Sequence, residues 1–88
     1  MNKNRRKELM EWVRMAEEWA THGEELRDKL ENICSDEQDY FDNMPENLQG
    51  GMRGMDAEEA IDAMNEAIEC MGNAIDAAEE AASCIEDI

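Results

Sequence analysis

Few side chains in this 88-residue sequence could perform chemistry. The only histidine, His22, could be a base or a metal ligand, but Glu18 precedes it by four residues, not by the three of a Glu-x-x-His di-iron motif. Asp36, Asp39 and Asp42 are spaced by three, which aligns them on a helix. Calcium loops need alternating ligands and a turn glycine, so only weak, exchangeable cation binding is expected there. The sequence predicts no catalytic residue and no dedicated metal site.

The cysteines and glycines give no stronger signal. Cys70 and Cys84 are fourteen residues apart in one predicted helix, about 21 Å and beyond disulfide reach. With Cys34 the number is odd, so we expect three free thiols that pack as small apolar side chains in a reducing compartment. The stretch from Gly50 to Gly54 lacks the preceding strand and the Lys-Ser/Thr ending of a phosphate-binding loop. No cofactor is therefore predicted.

Apolar residues with a helical period indicate the elements that carry these side chains. In the first half they alternate in steps of three and four, at Leu9, Trp12, Ala16, Trp19, Gly23, Leu26, Leu30 and Ile33. This seam predicts one helix over about residues 4–34, in which Gly23 permits a neighbouring helix to approach closely. A kink at Gly23 is the alternative, because glycine disfavours helix interiors.

Capping signals divide the rest of the chain. Ser35 with Gln38 predicts the start of a short second helix over 36–44, which Pro45 should end. Residues 45–56, which contain three glycines, are then predicted to be a loop. Asp56 with Glu59 forms another capping box ahead of a last helix over 57–87.

The last helix carries a near-repeat of seven residues, EEAIDAM, NEAIECM, GNAIDAA and EEAASCI. Two long helices joined by a short one predict an all-α antiparallel hairpin, in one domain over 1–88. Trp12 and Trp19 would then face the small residues between Met71 and Ala82, and the basic residues near the N-terminus would approach the acidic C-terminus. Because a hairpin alone buries little, dimerisation into a four-helix bundle is the alternative to a single hairpin.

The charge is uneven and large. The chain has 24 Asp and Glu against 8 Lys and Arg, a net charge of −16, and residues 54–88 contain no basic residue. On a hairpin about 50 Å long this gives one net charge per roughly 3 Å, close to the 3.4 Å spacing of phosphates along one DNA strand. Such acidity disfavours binding to nucleic acid or anionic membranes and favours a basic protein partner.

No long apolar stretch follows the basic N-terminal residues, which predicts no signal peptide, no membrane span and a cytoplasmic protein. The tract from Ser35 to Gln49, with its Phe-Asp-Asn and Pro-Glu-Asn-Leu pieces, resembles small acidic helical proteins encoded by phages and mobile elements of Gram-positive bacteria. The resemblance covers roughly residues 30–80. It implies a bacterial host and a role in evading host defence, as anti-CRISPR and anti-restriction proteins have.

The sequence therefore predicts a non-enzymatic protein that mimics nucleic acid and occupies the basic groove of a host defence nuclease, such as a CRISPR effector. The alternative is a structural or regulatory coiled-coil module that acts through its apolar seam. The predicted partner-binding residues are the acidic ones of the short helix and of the last helix: Asp36, Glu37, Asp39, Asp42, Asp62, Glu66, Glu69, Asp76, Glu79 and Glu80.

Overall fold

The computed structural model describes all residues, 1–88, and contains three helices. Helix α1 spans Lys3–Asp42, helix α2 spans Glu46–Gln49 and helix α3 spans Met52–Glu86. The two long helices pack against each other, and α2 lies between them in the chain and closes one end. The predicted all-α hairpin is confirmed.

Contacts between the two long helices fix their antiparallel orientation. The Arg6 guanidinium donates to the carbonyl oxygen of Ile88 at 3.4 Å, and the Cys34 thiol donates to Oδ1 of Asn65 at 3.5 Å. A β-carbon added at Gly23 would lie 3.0 Å from Cγ1 of Ile75. The predicted close approach at Gly23 is thus confirmed, and α1 continues through it without interruption.

The predicted boundary at Ser35 is wrong. Helix α1 starts after Asn2, whose Oδ1 accepts a hydrogen bond from the Arg5 amide at 2.8 Å, and it continues to Asp42, so the predicted helices 4–34 and 36–44 are one. No glycine or proline lies between Gly23 and Pro45. A capping box starts a helix only where the preceding chain is not helical, and here Cys34 is already held against Asn65.

The predicted loop over 45–56 is also wrong. Its first half forms α2, whose first turn closes with the Leu48 and Gln49 amides donating to the Pro45 carbonyl. Helix α3 begins at Met52, with Gly51 as its cap, so Asp56 lies inside the helix and does not start it.

Gln49 and Gly54 hold the connector against the two long helices. The Gln49 side-chain amide donates to the carbonyls of Phe41 and Met44, at 3.1 and 3.2 Å, and so satisfies acceptors at the end of α1. Gly54 is buried, and a β-carbon there would overlap the carbonyl oxygen of Gln49. Gly54 therefore lets α2 pack directly on the first turn of α3.

The buried line of α1 differs from the predicted seam. Val13, Ala20, Gly23 and Cys34 are buried against α3. Trp12 and Trp19, which we expected between the helices, remain 44 % and 51 % exposed, as do Leu26 and Ile33 at about half. Small residues allow two helices to approach closely, so the bulky residues are displaced to the side of the contact.

The hairpin is long and thin, at 69 × 15 × 14 Å, with a radius of gyration of 19.9 Å. A compact chain of this length would have a radius of about 12 Å. Only nine residues are buried. None of the helices has an apolar stretch of the length needed to cross a bilayer.

Candidate binding surfaces

Helix α3 is organised by a triplet that recurs every seven residues. Its seam residues Ile61, Ile68, Ile75 and Ala82 lie against α1, and three of the four are buried. Alanine precedes each of them, at 60, 67, 74 and 81, and an acidic residue follows the first three, at 62, 69 and 76. Consecutive helical residues are rotated by about 100°, so the alanines and the carboxylates lie on opposite sides of the seam.

Helix α1 has the same organisation. Its seam runs through Val13, Ala20, Arg27, Cys34 and Phe41, all buried or half-buried. A bulky apolar residue precedes each seam position, and a polar or charged residue follows it. The preceding residues are Trp12, Trp19, Leu26, Ile33 and Tyr40, and the following ones are Arg14, Thr21, Asp28, Ser35 and Asp42.

Antiparallel packing brings the two apolar lines together on one side of the hairpin. An apolar hollow of about 280 Å³ lies between the helices there, lined by Trp12, Met15, Ala16, Trp19, Ala78 and Ala81. We refer to this surface as the tryptophan side and define it by Trp12, Trp19, Leu26 and Ile33 of α1 with Ala60, Ala67, Ala74 and Ala81 of α3. The sequence did not predict this exposed surface as a site, although the spacing of seven could have revealed it.

The opposite side of the hairpin is acidic. A polar hollow there includes Asp39 of α1 and Asn65 of α3, so the two helices meet on this side as well. Asp62 and Glu69 lie three residues before and four after Asn65 and therefore share its side of α3. We refer to the surface that carries Asp39 and Asp42 of α1 and Asp62, Glu69, Asp76 and Glu79 of α3 as the acidic side.

The remaining predicted residues lie at the edges of this surface. Asp36, Glu66 and Glu80 are exposed and border it, each within four residues of a member. Glu37 does not belong to it, because it is half-buried and lies four residues after Ile33 and three before Tyr40, near the apolar residues of α1. The structure thus brings together nine of the ten predicted residues and separates Glu37 from them.

Ion pairing differs sharply between the two long helices. The close pairs of basic with acidic side chains all lie within α1: Arg14 with Glu18 at 2.6 Å, Arg27 with Glu31 at 4.0 Å, and His22, which is charged only when protonated, with Glu25 at 3.6 Å. None involves α3, whose residues 54–86 include only acidic charges. The basic N-terminal segment does reach the C-terminus, as predicted, but Arg6 bonds a main-chain oxygen of Ile88 rather than an Asp or Glu side chain. The carboxylates of α3 therefore have no basic partner within the chain.

One pair of carboxylates crosses between the helices. The pKa of Glu86 is raised above its ordinary value, first because its carboxyl shares a hydrogen bond with that of Glu17. Partial loss of solvent and repulsion by Glu17 and Asp87 add to the increase in pKa. The sequence did not predict this contact, which depends on the antiparallel register. These two carboxylates of different helices are therefore close enough to affect each other's ionisation.

The charge density is lower than the sequence suggested, because the hairpin is 69 Å long rather than about 50 Å. Dividing 69 Å by the 16 net charges gives one charge per 4.3 Å. The phosphates of a single DNA strand are spaced by about 3.4 Å, so one hairpin is somewhat less dense than a strand.

Neither the thiols nor the histidine forms a site. Cys34 is buried as expected, whereas Cys70 and Cys84 are exposed, so the prediction of packed thiols is wrong for these two. His22 lies on the outer surface of α1, about two-thirds exposed, beside Glu25. No three His, Cys, Asp or Glu side chains converge as they would around a metal ion.

No family model, no curated protein and no solved structure matches the chain.

Proposed function

We propose that this protein binds a basic nucleic-acid-binding protein through its acidic side and blocks the groove in which that protein holds nucleic acid. The observation that carries the proposal is the line of unpaired carboxylates along α3, which recurs every seven residues on a rod 69 Å long. A rigid rod of regularly spaced negative charge offers a basic groove the same kind of electrostatic partner as a phosphate backbone does.

Charge alone supports the class of partner, and the resemblance supports the biological setting. Because residues 30–80 resemble proteins of phages and mobile elements, we propose a host defence nuclease, such as a CRISPR effector, as the target in the cytoplasm of a bacterial host. Inhibition would be by occupancy, without chemistry on the target.

A structural or adaptor coiled-coil module is the second candidate, and the exposed tryptophan side favours it. Isolated surface apolar residues are common, but a continuous row at a spacing of seven is typical of a helix that packs against another. We also infer that two hairpins pair into a four-helix bundle through apolar residues, an arrangement that is compatible with either candidate function.

The test uses two variants with the same change in charge. Asp62, Glu69 and Asp76 on the acidic side become Lys in one variant, and Glu11, Glu18 and Glu25, also spaced by seven but on α1, become Lys in the other. Each triple substitution changes the net charge by the same amount. Tagged wild type and both variants capture proteins from a nuclease-treated bacterial lysate, and duplex DNA is then added as a competitor.

We expect wild type and the α1 variant to retain a basic protein that duplex DNA releases. The α3 variant should bind that protein at least 100-fold more weakly. Equal loss in both variants would mean that net charge matters and that the line of carboxylates on α3 has no special role. Retention of partners that neither DNA nor salt releases, with all three proteins alike, would favour the coiled-coil module.

A further inference from the structure

We propose that the tryptophan side is covered by a second copy of this chain, with the closed ends of both hairpins at the same end of the bundle. Each α1 would pack on α3 of the other copy, around a two-fold axis parallel to the helices. This proposal rests on the pairing of hairpins inferred above and specifies its surface and orientation.

The exposed area supports a partner of this size. The hairpin exposes 6716 Å². A compact protein of 10.1 kDa is expected to expose about 5,300 Å², so roughly 1,400 Å² per chain is in excess. Burying that excess on two copies would give an interface of about 2,800 Å², within the range of obligate homodimers.

The tryptophan side is complementary to itself. A two-fold interface requires that residue i of one copy meets j of the other, and that j meets i in return. Here one helix presents large side chains at a spacing of seven, and the other presents alanine at the same spacing. Large residues pack best opposite small ones. The shared period of seven is also that of helices that cross at about 20° in four-helix bundles.

The pairing of large with small decides the orientation. If the closed ends pointed in opposite directions, α1 would lie on α1 and α3 on α3, so tryptophans would face bulky residues and alanines would face alanines. With the closed ends together, each α1 lies on a partner α3. Neighbouring helices are antiparallel in both orientations, so their dipoles are favourable in either case and the pairing of large with small side chains alone distinguishes the two.

The distribution of charge permits two copies of this acidic chain to pair on the tryptophan side. No charged residue occurs among the eight residues that define the tryptophan side, although 36 % of the chain is charged. Pairing there directs both acidic sides outward and keeps apart the two halves of a net charge of −32. Over 69 Å this gives one net charge per about 2.2 Å, between the density of one DNA strand and the 1.7 Å of a duplex.

The interface is tested by adding one charge on either side of the hairpin. Ala81 lines the apolar hollow, and Ser83, two residues further, follows the seam residue Ala82 on the acidic side; both are exposed in the hairpin. Light scattering during gel filtration measures the mass of wild type, Ala81→Glu and Ser83→Glu, and circular dichroism checks that each remains helical. Trp19→Ala is a second interface variant.

Wild type and Ser83→Glu should be dimers, and Ala81→Glu should raise the dissociation constant of the dimer at least 100-fold, with a smaller increase for Trp19→Ala. A dimer that survives Ala81→Glu unchanged would overturn the assigned surface but not the pairing. A monomeric wild type at high micromolar concentration would overturn both. Neither result bears on capture of a target by the acidic side, which is measured separately.

The orientation is tested with a spin label at Gly50, where an added side chain meets open space. Gly50→Cys is labelled in a background with Cys70→Ala and Cys84→Ala, and Cys34 is buried. Closed ends together should give one distance across the bundle, below about 35 Å. A distance near the 69 Å length of the hairpin would overturn the proposed orientation.

Discussion

The two sides of the hairpin present different residue types on the same seven-residue repeat. On the tryptophan side the residues that precede each seam position are apolar and uncharged, and on the acidic side those that follow include Asp62, Glu69 and Asp76. Binding at the apolar side is stabilised by the exclusion of water, and binding at the acidic side by attraction between opposite charges. One helix pair can therefore carry two interactions that respond to different conditions.

Substitution in the seam should abolish both interactions, because both sides depend on it. Ile75 is only 2 % exposed and lies against Gly23. Ile75→Asp would bury an unpaired carboxylate, at a cost of several kcal/mol, which is comparable to the whole stability of a small domain. We expect loss of helical circular dichroism, of the dimer and of target binding. Asn73→Asp, at an exposed position of α3, should leave all three intact and serves as the control.

Salt should separate the two sides without any mutation. Raising NaCl from 50 to 200 mM shortens the screening length and should weaken target binding at least tenfold. The dimer should keep or increase its affinity, because salt screens repulsion between two chains of net charge −16. Titrations of both equilibria at four salt concentrations give the comparison. Parallel weakening of both would contradict the division into two sides.

Removing a tryptophan should affect the hairpin far less than removing a seam residue. Trp19 is 51 % exposed, so Trp19→Ala should lower the free energy of unfolding of the monomer by no more than about 1 kcal/mol. Ile75→Ala should lower it by about 2–4 kcal/mol, because it removes buried side-chain volume. Urea unfolding below the dimerisation concentration measures both. Equal losses would place Trp19 in the core of the hairpin.

The smallest effect is expected at the carboxylate pair. The pKa of Glu86 is raised in the folded state, so the Glu17–Glu86 hydrogen bond stabilises the fold at low pH. That stabilisation is lost as the pH rises above the ordinary pKa of 4.5 and through the raised pKa. Glu86→Gln should therefore reduce the fall in melting temperature between pH 4.5 and 7. Glu66→Gln, which removes the same charge away from Glu17, is the control and should retain the slope of the wild type.

Much of α3 could be predicted from the sequence, and less of α1. Before Ile85, the only large β-branched residues of α3 are three isoleucines spaced by seven, so the sequence identifies their line without ambiguity. The carboxylates beside that line can be identified from the same pattern. In α1, Trp12 and Trp19 have larger side chains than Val13 and Ala20, yet the smaller residues form the seam because helices approach more closely over them. Apolar periodicity locates an apolar face but does not divide it between two partners.

The helix boundaries failed for a related reason. Ser35 and Asp56 begin good capping boxes, but a capping pattern does not interrupt a helix that tertiary contacts continue. At Ser35 the contact is that of Cys34 with Asn65, and near Asp56 it is that of Gly54 with Gln49. These contacts join residues far apart in sequence or on different elements, so local pattern could not reveal them. The predicted position of Glu37 is wrong together with the boundary, because the sequence pattern places Glu37 in a separate helix.

The most direct test of the account is competition for the groove of the captured target. A fluorescent duplex is bound to the purified target, and its anisotropy is followed while the wild-type protein or the variant with Lys at 62, 69 and 76 is added. The account predicts that the wild type displaces the duplex and that the variant requires at least 100-fold more protein to do so. A duplex that stays bound while the wild-type protein binds the same target would contradict it.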